Sequence, residues 1–230
     1  MPLIVLWDID HTLIENSGVS KEIYAAAFTA LTGQSSREPA ATEGRTDRLI
    51  MAEMFRRHGL SAPPWGQVER ALEDAGADRE DALRRRGRAL PGTREALKTL
   101  AGQSWAVSSV LTGNIAANAL VKLRAFGLDV LLDLAVGAYG ADSEDRAGLV
   151  AVARKRVSSA YSLAPDIPVV LIGDTPRDVA AALSTGSRIL AVATGVHHSE
   201  ALREAGAKVV LPDLRDTAGL ISQLRSWAAR

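Results

Sequence analysis

The chain contains no cysteine. Disulfide stapling, thiolate nucleophiles and cysteine-based zinc sites are therefore excluded. Histidine is also scarce, at four residues, and only His197 and His198 are neighbours. Adjacent side chains point apart and no third ligand stands near them, so a histidine metal centre is not expected. Net charge is missing as well, because 27 Lys and Arg balance 27 Asp and Glu. No global field recruits nucleic acid or an anionic membrane, so an anionic ligand must be held by local groups. No apolar run reaches membrane-spanning length, no basic leader precedes the first apolar stretch, and no internal repeat or low-complexity tract occurs. The expectation is a soluble, cytoplasmic protein without a nucleic-acid or membrane partner. What is present is 230 residues, 47% of them apolar. That is enough for a real core, in one large domain or one domain with a sizeable insertion.

The rest of the chain is organised around Leu3 to Thr12, which reads Leu-Ile-Val-Leu-Trp-Asp-Ile-Asp-His-Thr. An apolar run of strand length stops at two carboxylates, Asp8 and Asp10. At i and i+2 on an extended backbone they point to the same side. Paired acids at the end of a buried strand are costly unless a cation, donors or water receive them.

Helical periodicity follows over residues 19–31, 46–58, 65–75 and 79–88, with no strand between these segments. They read as a helical module inserted after the first strand. From Thr93 the pattern changes to alternation. Helices are expected at 93–100, 115–126, 146–161, 177–183, 200–205 and 217–227, with strands at 105–111, 130–136, 169–172, 188–193 and 208–211. This predicts an α/β fold, a Rossmann-like parallel sheet with helices on both faces. In such sheets ligands sit outside the carboxyl ends of the strands.

Three strand ends carry chemistry. The first ends in Asp8-Ile9-Asp10-His11-Thr12, the second in Leu111-Thr112-Gly113-Asn114, and the strand at Val169 in Gly173-Asp174-Thr175-Pro176-Arg177-Asp178. Together they offer oxygen ligands for a hard cation beside a cradle for an oxyanion.

With these motifs the chain resembles the haloacid dehalogenase (HAD) superfamily, in its phosphatase branch with a helical cap. Asp8, Asp10 and Thr12 match its first motif, Thr112 its second, and Gly173, Asp174 and Asp178 its fourth. The resemblance implies a HAD-like core at residues 1–15 and 89–230 with a cap at 16–88. It implies a Mg²⁺-dependent phosphatase acting on a small phosphorylated metabolite through an aspartyl-phosphate. In that scheme Asp8 is the nucleophile and Asp10 the acid and base. Thr112 and Gly113 hold phosphate oxygens. Mg²⁺ is held by Asp8, the Asp10 carbonyl and Asp174, with Asp178 as a further ligand or an orienting group.

The family's third motif is a basic residue, usually Lys. Here Arg146, 28 residues before Asp174, is preferred over Arg154, Lys155 and Arg156. His11 stands where the family commonly has Gly, and either rests against the cap or touches substrate. Gly44-Arg45-Thr46-Asp47 is like a segment of phosphoglycolate phosphatase caps, which makes Arg45 a candidate substrate contact. Asn114 is expected to cap the next helix. Two alternatives stay open: a phosphomutase of the β-phosphoglucomutase type, and a catalytically silent binding or regulatory protein on the same fold. A monomer or homodimer fits either.

Overall fold

The computed structural model describes residues 2–229. Its centre is β1, Leu3–Trp7, with every residue buried. Such a strand must be covered on both faces, and the alternation of its side chains shows how. Leu3, Val5 and Trp7 point into one apolar cluster, and Ile4 and Leu6 into another.

The parallel sheet contains β1, β4 (Ala106–Val110), β5 (Val169–Gly173), β6 (Arg188–Val192) and β7 (Val209–Leu211), in the order β4-β1-β5-β6-β7. On the Leu3 face lie α5 (Thr93–Ala101), α6 (Ala116–Ala125) and α10 (Thr217–Ala228). On the Ile4 face lie α7 (Arg146–Tyr161), α8 (Pro176–Ser184) and α9 (Ser199–Glu204). The chain steps from β1 to β4 on one side, then crosses to β5 on the other. The carboxyl end of β1 therefore lies where strand order reverses, the place such sheets leave for a ligand.

Between β1 and α5 stand α1 (Val19–Thr32), α2 (Asp47–Arg57), α3 (Trp65–Ala77) and α4 (Glu80–Arg86). They bury Ile23, Phe28, Ile50, Phe55, Val68, Leu72 and Leu83 in a third cluster, which reaches the core through Ile115. Two short strands, β2 (Ile14–Glu15) and β3 (Arg88–Ala89), pair antiparallel where this helical segment begins and ends. The two connections thus run side by side. Gly18 and Gly92 follow them in left-handed conformations, with φ of 82° and 83°, which favour glycine.

One predicted strand is absent. Residues 130–136 instead form two 3₁₀ turns, Asp129–Leu131 and Leu134–Val136. Asp133 is the reason. Its side chain caps the second turn at the Ala135 amide, and its own amide donates to Ser108 O at 2.9 Å. The edge of β4 is met at Asp133 by this bond and by the Ser109 hydroxyl donating to Asp133 O at 2.5 Å, and at Ala138 by a bridge, not by a ladder. No helix among the described residues is long and apolar enough to cross a membrane.

Candidate active site

The three strand-end motifs converge. Asp8, Asp10, Thr112, Gly113, Arg146 and Asp174 line one cleft, together with His11, Asn16, Ser20, Tyr24, Asn114 and the segment Thr42 to Arg45. Asp8 follows β1 directly, and its amide still donates to Ile172 O of β5 at 2.9 Å. Its carboxylate is thereby held in register with the sheet. Thr112 follows β4, fully buried, and its hydroxyl accepts from the Asn114 side-chain amide at 2.7 Å. Its hydroxyl proton has no acceptor among the described residues.

Asp8, Asp174 and Asp178 each place a carboxylate oxygen within 4.8 Å of the others, all buried. Arg146, at the start of α7, is the cation set among them. It lies 3.0 Å from Asp8 and 2.6 Å from Asp178. Burial opposes its charge, but Asp178 and Asp8 outweigh that, and its pKa is raised. One guanidinium does not balance three carboxylates. Desolvation, with repulsion from Asp178 and Asp10, pushes Asp8 up to about 6 against the pull of Arg146. Desolvation and the same kind of repulsion raise Asp174 well above the usual carboxylate range. An oxygen-only donor set with surplus negative charge fits a hard divalent cation.

The three carboxylates are not equivalent. One Asp178 oxygen accepts from Arg146 Nε at 2.7 Å; the other accepts the Thr175 amide at 3.0 Å and hydroxyl at 2.6 Å. Thr175 and Asp178 form a reciprocal capping box on α8. Asp178 is thus committed to protein donors and aims Arg146. Among the described residues, Asp174 accepts only the Thr12 hydroxyl, at 3.0 Å. The loop after β6 closes over Asp174 at Gly195, where a Cβ would collide with the carboxylate.

Asp10 lines the same cleft in different company. Its Oδ1 accepts from Asn16 at 2.7 Å and Ser20 at 3.3 Å, and its Oδ2 from Lys122 at 2.6 Å and Asn114 at 2.9 Å. Burial disfavours its charge, but Lys122 and these donors overcome that and lower its pKa to about 2. Two carboxylates two residues apart are therefore driven in opposite directions.

Lys122 is not among the residues that the sequence singles out. It is 2% exposed and projects from the buried face of α6 with Asn118, Ala119 and Leu123. The signal was a lysine at a core-facing position of a helix. Asn114, expected as a helix cap, makes no cap. Ile115 occupies that position, and Asn114 spends its side chain on Asp10, Thr112 and Lys122.

His11 has φ +59°, a conformation that glycine adopts freely and histidine more often than most residues. Its ring lies 3.1 Å from Glu15 at the cleft mouth. The Arg45 segment meets the core closely. Asp47 donates its amide to Gly113 O at 2.7 Å and accepts from the Ile115 amide at 2.8 Å and Tyr24 hydroxyl at 2.6 Å. A Cβ at Gly113 would strike the Arg45 carbonyl. Arg45 lines the cleft, and its guanidinium has no hydrogen-bond or ion-pair partner among the described residues. Lys155 is exposed on α7, outside the cleft, and Arg156 pairs with Asp142.

The HAD-hydrolase-like family model matches residues 130–217. The probable phosphatase IndB of Dickeya dadantii is 27% identical over 225 residues, 95% of this chain and 93% of that protein. A hydrolase from Pseudomonas syringae superposes with a TM-score of 0.70 at 22% identity, over 97% of this chain and 99% of its own. CbbY from Rhodobacter sphaeroides, solved in complex with phosphate, gives a TM-score of 0.68 at 19% identity, over 94% and 96%. Fold, strand-end motifs and sequence similarity agree in likening the chain to haloacid dehalogenase-like hydrolases, with the family match confined to residues 130–217.

Proposed function

We propose that this protein is a Mg²⁺-dependent phosphatase of a small phosphorylated metabolite, working through a phosphoryl group carried on Asp8. The observation that carries this reading is the pairing of two unlike acids in one cleft. Asp8 lies between Arg146 and the Asp174 side, whereas Asp10 is set apart among four donors. Two carboxylates in contrasting environments suit two roles.

In this reading an Asp8 oxygen attacks phosphorus as the bond to the leaving oxygen breaks. Arg146 neutralises charge on Asp8 and on the transferring group. Thr112 and the Gly113 backbone hold phosphoryl oxygens. Asp10, held ionised by its donors in the resting cleft, would first take the proton of a phosphate monoanion, pass it to the leaving oxygen, and then take one from the water that cleaves the aspartyl-phosphate. Asp8, the Asp10 carbonyl and Asp174 would hold Mg²⁺, which when bound offsets repulsion between the nucleophile and a phosphate dianion. Asp178 aims Arg146. The relationship to a probable phosphatase is consistent with this scheme, and an acid at Asp10 suits leaving groups that need a proton.

The lining of the cleft includes Arg45, His11 and Glu43. Arg45, lacking a protein partner, would fork onto a carboxylate or second phosphate of the substrate. A phosphoglycolate-like acid or a sugar phosphate fits these groups.

The test is a phosphate-release screen of small phosphorylated metabolites with Mg²⁺ and with a chelator. Release that requires Mg²⁺ and is absent in Asp8→Asn supports the reading. Release that survives Asp8→Asn would overturn the covalent route. Conversion of one sugar phosphate into another without free phosphate would assign a mutase instead. Inertness toward every substrate would leave a binding role.

A further inference from the structure

We propose that Lys122 is a positioning residue, which locks the Asp10 carboxylate toward the cleft and makes that alignment depend on the seating of α1. The inference rests on the phosphatase reading for Asp10 and goes beyond it.

The argument is one of counting donors. An ammonium has three N–H bonds and no acceptor. Lys122 Nζ lies 2.6 Å from Asp10 Oδ2, 2.7 Å from Ser20 Oγ and 2.6 Å from Asn114 Oδ1. All three donors are spent inside the protein. Lys122 therefore has none to offer a phosphoryl oxygen, unlike Arg146 beside Asp8. Its effect on chemistry must pass through Asp10.

The geometry at Asp10 agrees. Both of its oxygens are engaged from two sides, with Lys122 and Asn114 on Oδ2 and Asn16 and Ser20 on Oδ1. Rotation about the side chain would break at least two of these bonds. A proton donor must meet the leaving oxygen within hydrogen-bond reach, and this clamp fixes where it meets it. Ser20 belongs to α1 and bonds both Lys122 and Asp10, so displacement of α1 removes one arm of the clamp. A buried lysine without such partners would be costly, and here each charge answers the other.

The test separates leaving groups. An alkyl phosphate needs a proton on its leaving oxygen, whereas 2,4-dinitrophenyl phosphate leaves without one. Lys122→Met is expected to lower kcat on the alkyl ester by about 10²-fold or more and on the dinitrophenyl ester by only about threefold, the signature expected of Asp10→Asn. The double variant Lys122→Met/Asp10→Asn should be no slower than Asp10→Asn alone. It also removes both charges, so it keeps the proposal testable if Lys122→Met fails to fold. Ser20→Ala should show a weaker form of the same selectivity. Equal losses on both esters, or no loss on either, would overturn the proposal.

A measurement independent of turnover uses ¹⁵N-lysine labelling. The Lys122 ammonium signal should be observable and should shift in Asp10→Asn. A signal indifferent to Asp10→Asn would overturn the proposal even if the protein hydrolyses no phosphate ester. Inertness toward both esters with an intact ammonium shift would instead count against the phosphatase reading while upholding the clamp.

Discussion

At the scale of single residues, the informative contrast is between Asp8, raised to about 6, and Asp10, lowered to about 2. Asp8 is poorly solvated and surrounded by other carboxylates, so replacing it with a neutral isostere relieves repulsion. Asp8→Asn should abolish turnover while melting no lower than the parent at pH 7.5. A large drop in melting temperature would mean that Asp8 is needed for folding, and retained activity would remove it as nucleophile. Arg146 is the reverse case. Its removal leaves Asp8 and Asp178 buried without their cation, a loss on the order of 3–5 kcal/mol. Arg146→Ala should therefore lose both activity and stability, and Lys155→Ala, on the exposed side of the same helix, neither. Denaturant melts and a phosphate assay on both variants decide this, and the opposite ranking would place the cation elsewhere.

At the scale of elements, Asp174 and Asp178 differ by one helical turn, and that turn separates their tasks. Asp178 closes the capping box of α8 and holds Arg146. Asp174 follows β5 with only Thr12 as a donor among the described residues. Asp178→Ala should cost stability, about 1 kcal/mol for the cap plus the loosening of Arg146. It should raise the Mg²⁺ concentration for half-activation about tenfold. Asp174→Ala should raise that concentration much further with less effect on melting. Titration of activity with Mg²⁺ in both variants checks the order, and equal shifts would sink the division.

These roles rest on how legible each element is. The parallel sheet is readable because a strand buried on both faces forces a continuous apolar run, as in Leu3–Trp7, and because polar residues end those runs abruptly. The turns at residues 130–136 are not, since an apolar stretch looks the same as a buried strand or a packed turn, and only the backbone bonds of Asp133 distinguish them. The two-residue strands Ile14–Glu15 and Arg88–Ala89 are too short to carry a period. Lys122 escapes notice because its partner, Asp10, lies 112 residues away. A helix pattern marks which face is buried and is silent on what that face meets.

At the scale of the molecule, the question is how the helical segment α1–α4 relates to the core. We propose that it acts as a lid that selects substrate, with Arg45 as its contact. If so, Arg45→Ala should lower kcat/KM on the best metabolite by about tenfold or more while leaving a simple aryl phosphate nearly unaffected. Equal effects on both would return Arg45 to the surface. Asp47 is the fastening beside it, joining α2 to the Gly113–Ile115 loop and to Tyr24 of α1.

Desolvation outweighs its hydrogen bonds and raises Asp47 from 3.8 to about 6. Between those values the folded protein holds a proton that the unfolded chain has released. The stabilisation from that proton is complete below pH 3.8 and is lost as pH rises through about 6. The bonding is compatible with the neutral acid, whose hydroxyl can donate to Tyr24 while its carbonyl keeps the Ile115 amide. Asp10 has the opposite sign. Its stabilisation is present above pH 3.8 and is lost only as pH falls through about 2, so it is constant across the window where Asp47 changes. Asp8 titrates in the same window as Asp47, which is why a single melting curve against pH would not isolate Asp47. The difference between parent and Asp47→Asn does so, because the other groups are shared. The amide side chain of that variant keeps an acceptor for the Ile115 amide but has no carboxyl to protonate. The melting temperature of the parent should therefore rise relative to Asp47→Asn as pH is lowered from about 7.5 to about 5. A difference that stays flat over that range would mean that Asp47 titrates lower and that the junction holds an ordinary carboxylate. A difference that moves the other way would mean that the ionised form is the one that fastens α2 to the core.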